Sequence, residues 1–532
     1  MRKILLGTTA VVGAALLAPG AFAQTTQGGG GRVGQGVTVP TAPGTVGVAP
    51  TPLNVGPSAP NTQVVQAPTP AMAGAGGLTI RLGGYFAFTG AMVQDDWDYG
   101  RSRNFANQNT SVGAYTGNLT TGAATTGRPG TSVPSNAGTT FGQPVNNARS
   151  RSRYDFRNDA ELNIFVDGRT SNGITYGAVF EMQMDNVVAT AGDGTTVSFD
   201  ELYGYIGFDG LGTFRFGQED SAASLLQVRA PASQALGGDA EWDEFIVQTG
   251  LTDSSPYIMS GINDGNDATK VIYLSPQFAG FDFGVSYAAN SGEGERTNNE
   301  GSTTAAQRDR LGIENEMSAA VRYRGTFGPV GVIAGLGGMW ASPPSLNGAG
   351  QALGAVGNPR AQNVYAYTAG LVLTGYGFSF GGEYTWGAYR GASVGRTAVA
   401  AGVDNSQHYL LGLTYTMGPL VFGAVWGQGW QGNGVSAVRT SATTVAYTDL
   451  DDRRQDLWGL GVAYNLAPGL VLFGLYNNIT DENVPMGGQP SNARYLAAPT
   501  TVGARTGTTL AQFNGGNTRS INVGIVGIRL AF

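Results

Sequence analysis

The stretch Leu78-Thr-Ile80-Arg-Leu82-Gly-Gly84-Tyr-Phe86-Ala-Phe88 alternates strictly, with an apolar residue or Gly at every even position and Thr79, Arg81 and Tyr85 between them. A period of two places these sets on opposite faces of a β-strand. The pattern recurs downstream. Over residues 157–167, Leu162, Ile164 and Val166 oppose Arg157, Asp159, Glu161, Asn163 and Asp167. Ile174, Tyr176, Ala178, Phe180, Met182 and Met184 oppose Thr175, Glu181, Gln183 and Asp185. Met317, Ala319, Val321 and Tyr323 oppose Ser318, Arg322 and Arg324, and Tyr409, Leu411, Leu413 and Tyr415 oppose His408, Gly412 and Thr414. An apolar face backed by a charged face suits a wall with lipid outside and water inside.

A soluble sandwich also alternates, so length, turns and aromatics decide. Many segments run to about ten residues, which suits a tilted bilayer-spanning strand better than the five or six of a typical sheet. Seven connections are very short, at 171–173, 209–212, 275–280, 327–330, 375–377, 418–419 and 467–469. Between them lie long polar connections near 95–150, 186–197, 218–267, 290–313, 341–361, 389–405, 431–453 and 482–517. Seven short turns alternating with eight long loops give sixteen strands whose two chain ends share one side. Loop length sorted by side is the habit of outer-membrane barrels, short turns facing the periplasm and long loops the exterior. Aromatic residues including Tyr85, Phe208, Phe214, Phe281, Tyr323, Trp340, Tyr384, Trp386, Trp426, Trp430 and Trp458 fall near strand ends, where interfacial girdles form. No apolar run reaches the roughly 18 residues of a membrane helix. The expected fold is an all-β, transmembrane antiparallel β-barrel of sixteen strands over residues 77–532.

Composition agrees. Of 532 residues, 85 are Gly and 13% are charged, with no Cys and one His. These counts exclude disulfide scaffolds, thiolate metal sites and His-rich zinc sites. Residues 1–23 read as a cleaved signal peptide: Arg2 and Lys3, an apolar stretch, then Ala21-Phe22-Ala23. Residues 24–76, with eight Pro and Arg32 as the sole charge, read as a disordered periplasmic tether. Without Arg2 and Lys3, 28 basic residues stand against 37 acidic, a charge of −9 that disfavours nucleic-acid binding.

These features resemble the Gram-negative general porins, in the form common among alphaproteobacteria. The resemblance rests on the opening strand, on Glu201-Leu-Tyr-Gly-Tyr-Ile-Gly-Phe208 with Gly212-Thr-Phe-Arg-Phe-Gly217, and on the closing strand that ends at Phe532. In the closing strand Val526, Ile528, Leu530 and Phe532 form one apolar row. The resemblance implies a homotrimer in the outer membrane, in contact with lipid and lipopolysaccharide. It implies that the assembly machinery reads the terminal strand through Phe532. It also implies a water-filled pore for small hydrophilic solutes, narrowed by the third long loop folded inward. That loop, about 218–267, carries Glu219, Asp220, Asp239, Glu241, Asp243, Glu244 and Asp253. Lumen parity nominates Arg81, Arg157, Arg215, Arg322, Arg324 and Arg529 as a facing basic wall, and a bulge would reverse such parity. The loop lacks the Pro-Glu-Phe-Gly-Gly stretch of enterobacterial relatives, so its geometry does not follow from theirs.

Other motifs carry less. Gly427-Gln-Gly-Trp-Gln-Gly432 matches a dinucleotide fingerprint without the helix it needs. Asn263-Asp264-Gly-Asn-Asp267 is a partial match for structural calcium but lacks the calcium-loop spacing and distal Glu. His408, without a Ser–acid constellation, reads as a lumen or loop-base residue. No cofactor and no enzymatic activity are expected. The leading function is passive diffusion, preferring cations or neutral solutes; the alternatives are a substrate-selective channel, for example for sugars, and a barrel-anchored adhesin.

Overall fold

The structure, a computed structural model, describes residues 72–73, 78–95, 153–184, 198–232, 236, 242–245, 262, 268–290, 313–345, 360–389, 404–432, 435–439, 445–449, 452–482 and 519–532. Residues 1–71, which hold the expected signal peptide at 1–23 and most of the expected tether at 24–76, lie outside the described residues, as does most of every long connection except the one at 431–453.

Sixteen strands form the wall. They are β1 (Thr79–Asp95), β2 (Tyr154–Arg169), β3 (Thr175–Gln183), β4 (Ser198–Phe208), β5 (Gly212–Gln218), β6 (Thr269–Leu274), β7 (Phe281–Asn290) and β8 (Glu314–Phe327). The second half comprises β9 (Val330–Ser342), β10 (Val364–Gly375), β11 (Phe378–Ala388), β12 (Ser406–Met417), β13 (Leu420–Gln431), β14 (Arg453–Ala467), β15 (Leu470–Glu482) and β16 (Arg519–Ala531). Each strand pairs antiparallel with the next, and β16 returns to β1 from Ile521↔Asp95 to Ala531↔Tyr85. The sheet has no free edge, as a lipid-facing sheet requires, because unpaired backbone groups have no partner in hydrocarbon. The seam is completed by Phe532, whose N–H donates to Gly84 O and whose O accepts from Gly84 N–H, both at 3.1 Å. Beside it the pair Met72–Ala73 adds a short antiparallel bridge to Thr79 and Ile80. No helix among the described residues is long and apolar enough to cross a membrane.

All seven short connections fall where the sequence places them. Tyr376 and Gly377, at φ 53° and 82°, close β10 onto β11 with the two positive φ values that match a tight hairpin to strand twist. A separate hairpin, Val435–Arg439 with Val445–Asp449, lies within the connection from β13 to β14. The strands obey the parity read from the opening stretch. Ile80, Leu82, Phe86, Phe88 and Met92 are exposed on the outer face of β1, while Tyr85, Ala87, Ala91 and Val93 are buried within. Tyr85 therefore leaves the aromatic girdle, because its position on β1 points it inward.

The remaining outward aromatics make two belts. Near the long-loop end, Trp340 Nε1 donates to the Tyr367 hydroxyl at 3.0 Å, and Tyr367 stacks on Trp386 at 5.9 Å between ring centroids. Near the short-turn end, Phe281 packs against Tyr323 at 4.9 Å and Phe378 against Tyr415 at 4.4 Å. Amphipathic rings at both ends of an apolar band are what two membrane interfaces select.

Candidate functional site

The lumen is the candidate site, and its charges arrive there by strand parity. Arg81 on β1 donates from Nε to Asp167 Oδ2 at 2.7 Å and lies over Phe165; the Tyr205 hydroxyl donates to the other Asp167 oxygen at 2.5 Å. Arg322 grips Asp282 with Nε and Nη2 at 3.2 and 2.7 Å, and Arg324 Nη2 reaches the same carboxylate at 2.8 Å. Asp282 is the direct cross-strand neighbour of Arg322 between β7 and β8, so register alone brings the pair together. Arg157 Nη1 lies 3.7 Å from Asp159, and the Arg529 guanidinium sits 3.7 Å above the Tyr85 ring.

One slip in register adds charge to the lumen. Between Phe180↔Leu202 and Met182↔Phe199, β4 carries an extra residue. At this bulge Asp200 and Glu201 are both buried instead of alternating. They join Asp159, Glu161 and Glu181 in an acidic sector on the inner wall of β2–β4.

The third loop leaves β5 and turns inward at once. Glu219 is fully buried, its Oε2 accepting from Arg215 Nη1 at 2.9 Å while its backbone O accepts from Lys270 Nζ at 2.5 Å. Burial pushes the Glu219 carboxyl above the usual carboxylate range, against the opposing pull of Arg215 and Lys270. Glu219 and Arg215 thus close on each other along one wall instead of facing across open space. Asp220 follows, also buried, its Oδ2 accepting from the Ser224 hydroxyl at 3.5 Å. Ser221 caps the one-turn helix α1 (Ala222–Leu226) by accepting from Ser224 N–H at 3.2 Å. Ala222 and Ala223 N–H donate to the hydroxyls of Ser286 on β7 and Ser318 on β8, each at 3.1 Å.

Of the other loop acids, Asp239, Glu241 and Asp253 lie outside the described residues. Asp243 and Glu244 belong to the single turn Trp242–Phe245, and their side chains are likewise outside the description. The motif at 263–267 is outside it too; among the described residues no group of three or more His, Asp or Glu is placed to hold a metal. His408 is buried on β12 and shares a 2.8 Å hydrogen bond from Nδ1 to the Tyr389 hydroxyl. Gly427-Gln-Gly-Trp-Gln-Gly432 ends β13, and no described helix follows it.

Sequence reasoning did not single out Arg453 and Asp481. Arg453 Nε donates to Asp481 Oδ1 at 2.7 Å, its Nη2 pairs with Oδ2, and Gln455 donates to the same oxygen at 2.9 Å. Both charges sit at strand ends bordering long loops, where period gives no anchor. Asp167, Asp282 and Glu383 were readable only as lumen-side parity; their partners come from register and from the loop.

No curated protein sequence matches the chain. Among solved structures, an anion-selective porin from Comamonas acidovorans is 14% identical with a TM-score of 0.44, covering 86% of this chain and all of its own. A substituted variant of the Rh. blastica porin is 13% identical with a TM-score of 0.39, covering 85% of this chain and all of its own. The fold therefore rests on the closed sixteen-strand register itself. The family model for Gram-negative porins matches residues 8–484. By that match over most of its length, together with a closed barrel whose inward faces carry the charge, the chain belongs to the Gram-negative porin family, the channels of the outer membrane.

Proposed function

We propose that the barrel passes small hydrophilic solutes and ions by passive diffusion, preferring cations or neutral molecules, and that it does so as a homotrimer exported by a cleaved signal peptide. The charge balance of the lumen carries the ionic preference. Among the described residues, twelve carboxylates are buried within the barrel against seven cationic side chains. Adding the partly shielded Arg81 and Arg324 leaves the carboxylates in excess. Fixed charge in a low-dielectric passage biases permeation toward the opposite sign. Phe532 and the outward row of the terminal strand are the surface offered to the assembly machinery, and the outer apolar band is the surface offered to lipid and lipopolysaccharide.

The test is the reversal potential of purified protein in planar bilayers across a KCl gradient. A cation-selective potential that shrinks in Glu161→Gln combined with Glu181→Gln is expected. An anion-selective wild type, or a potential indifferent to these two changes, removes the proposal. Silence in the bilayer favours the adhesin reading, whose binding surfaces near 95–150 and 482–517 lie outside the described residues. A sugar-selective channel would offer free stacking rings. Among the described residues, by contrast, Tyr203 packs under Arg215 at 5.1 Å, Tyr205 is bonded to Asp167, and Tyr85 lies under Arg529.

A further inference from the structure

The outer wall has a depression that crowding does not explain. Gly474 on β15, Gly524 on β16 and Gly90 on β1 occupy outward, mid-strand positions by parity. Together they floor a slot of about 820 Å³ on the lipid-facing side. Its flanks are Leu460 and Val462 of β14, Met92 of β1 and the 73% exposed Phe156 of β2. At Gly90 the Phe156 ring leans in, 3.0 Å from where a Cβ would stand. The other two glycines are open. A Cβ at Gly524 would meet no atom within 4 Å, and one at Gly474 would meet nothing closer than 3.9 Å. Neither has a positive φ, so no turn calls for glycine there. A strand facing hydrocarbon favours branched or aromatic side chains at such positions. Glycine inside a strand, away from bends and bulges, marks a place where another molecule approaches closely.

Directly above the slot, toward the long loops, the same outward rows turn polar. Gly524 pairs with Tyr476 and Met92, and the next rung out is Asn478, Asn522 and Gln94. Asn522 Oδ1 accepts from the Tyr476 hydroxyl and from Asn478 Nδ2, each at 2.8 Å. The Asn522 amide N–H groups and the Asn478 amide O have no partner among the described residues. One rung higher, Thr480 stands opposite Ser520.

The geometry points to a site for one glycolipid: an acyl chain lies in the glycine slot, and a neutral sugar head group hydrogen-bonds to the Asn478–Asn522 rung. The inference rests on the outer band being the lipid face, and assigns one lipid class to one place on it. An amphiphile needs an apolar slot in line with a polar rung, and the strands supply both within two residues. Amide N–H and C=O offered together suit hydroxyls, which donate and accept, better than phosphate oxygens, which accept. Charge argues the same way. Among the outward residues described on β14–β16, Arg454 is the sole cation, and its Nη2 donates to Asp456 Oδ1 at 3.2 Å. Glu482 stands across from it on β15. An anionic head group would meet more acid than base here. At the same height Trp458 packs on Tyr476 at 5.1 Å, an aromatic pair of the kind found at a membrane interface.

The test is the native mass of the barrel in zwitterionic detergent, with monoglucosyl diacylglycerol or phosphatidylglycerol of the same chains added in turn. One glucosyl lipid per barrel is expected, held about tenfold more firmly than phosphatidylglycerol, the worth of one or two net hydrogen bonds. Gly474→Leu with Gly524→Leu fills the slot and is expected to remove the bound lipid. The open space before both glycines lets this barrel close, as a heat-resistant compact band on gels reports. Asn478→Leu with Asn522→Leu keeps the slot and is expected to drop the glucosyl lipid to the level of phosphatidylglycerol. Equal retention of the two lipids, tighter retention of phosphatidylglycerol, or retention that survives the four leucines would overturn the site. So would an oligomer that holds no lipid and dissociates when the slot is filled, because the occupant is then a second copy of this chain. Single-channel conductance of both variants is expected to match wild type, since the slot faces away from the lumen. A silent wild type that still holds the glucosyl lipid would sink the permeation reading and leave the site standing. A wild type that does not insert into vesicles would sink the lipid-facing reading itself.

Discussion

Asp282 holds two cations at once. Arg322 and Arg324 both reach it, and the Arg322 side chain is 1% exposed. Removing one member of a buried ion-pair group strands the others, a loss of about 3–5 kcal/mol. Asp282→Ala is therefore expected to lower the midpoint of chemical unfolding in detergent, whereas the double change Asp282→Ala, Arg322→Met recovers part of it. An Asp282→Ala protein as stable as wild type would show that water reaches this cluster freely. Glu219 behaves differently. Its folded carboxyl titrates above the unfolded value because burial outweighs Arg215 and Lys270. A raised value means that the folded state holds its proton more tightly, so this group's stabilising share is complete below the unfolded Glu value of about 4.3. That share is lost as pH rises through the folded value. Glu219→Gln is expected to flatten this part of the stability–pH curve above the unfolded Glu value, as read by thermal melts. A curve of unchanged slope would place the titration elsewhere.

At the scale of the strand, face and register set the cost of a change. Val321 lies midway along β8 on the outer face, 41% exposed among Phe283 and Leu336. Val321→Lys is expected to cost about 2–4 kcal/mol in refolding into lipid vesicles, the penalty of a cation on the lipid side of a barrel. The same change at Thr414, buried on the lumen face of β12, is expected to alter conductance more than insertion. Equal costs at both sites would show that the assigned faces are wrong. The seam depends on Gly84, where a Cβ would fall 2.1 Å from the Glu161 carbonyl O. Gly84→Val should therefore prevent closure between β16, β1 and β2, read as loss of the heat-resistant compact band on gels. A Gly84→Val variant that still gives this band would show that the close approach is not needed for closure.

Across the whole molecule the wall is uneven. β5 and β6 have seven and six residues, against seventeen in β1 and fifteen in β14. At about 3.3 Å per residue and a tilt near 40°, such strands rise only about 15–18 Å, short of the roughly 25 Å apolar band of a barrel. A low wall with Phe214, Phe216 and Val271 exposed on its outer face is better covered by protein than by stretched lipid. It is the face through which the proposed trimer would assemble. Intact mass in mild detergent should show three copies, falling to one in Phe216→Arg. A wild type that runs as a single copy would remove this reading.

The sequence by itself determined the strand count, the position of every short turn and, in the segments that alternate without a bulge, which face looks out. Alternation, turn residues and loop length are local, and a closed barrel repeats one local rule sixteen times. Its inward charges were legible for the same reason: Arg81, Arg215, Arg322 and Arg529 follow directly from parity. What tertiary structure alone decided was which charges meet and where the loop lies. The partnership of Arg453 with Asp481 depends on register between strands joined by short turns but anchored by long loops. The bulge that turns both Asp200 and Glu201 inward breaks parity within one residue. Gly90, Gly474 and Gly524 look, in sequence, like any others among the 85. Only the closed wall shows that they stand together on its outer face, because register between strands far apart in the chain leaves no period in the sequence.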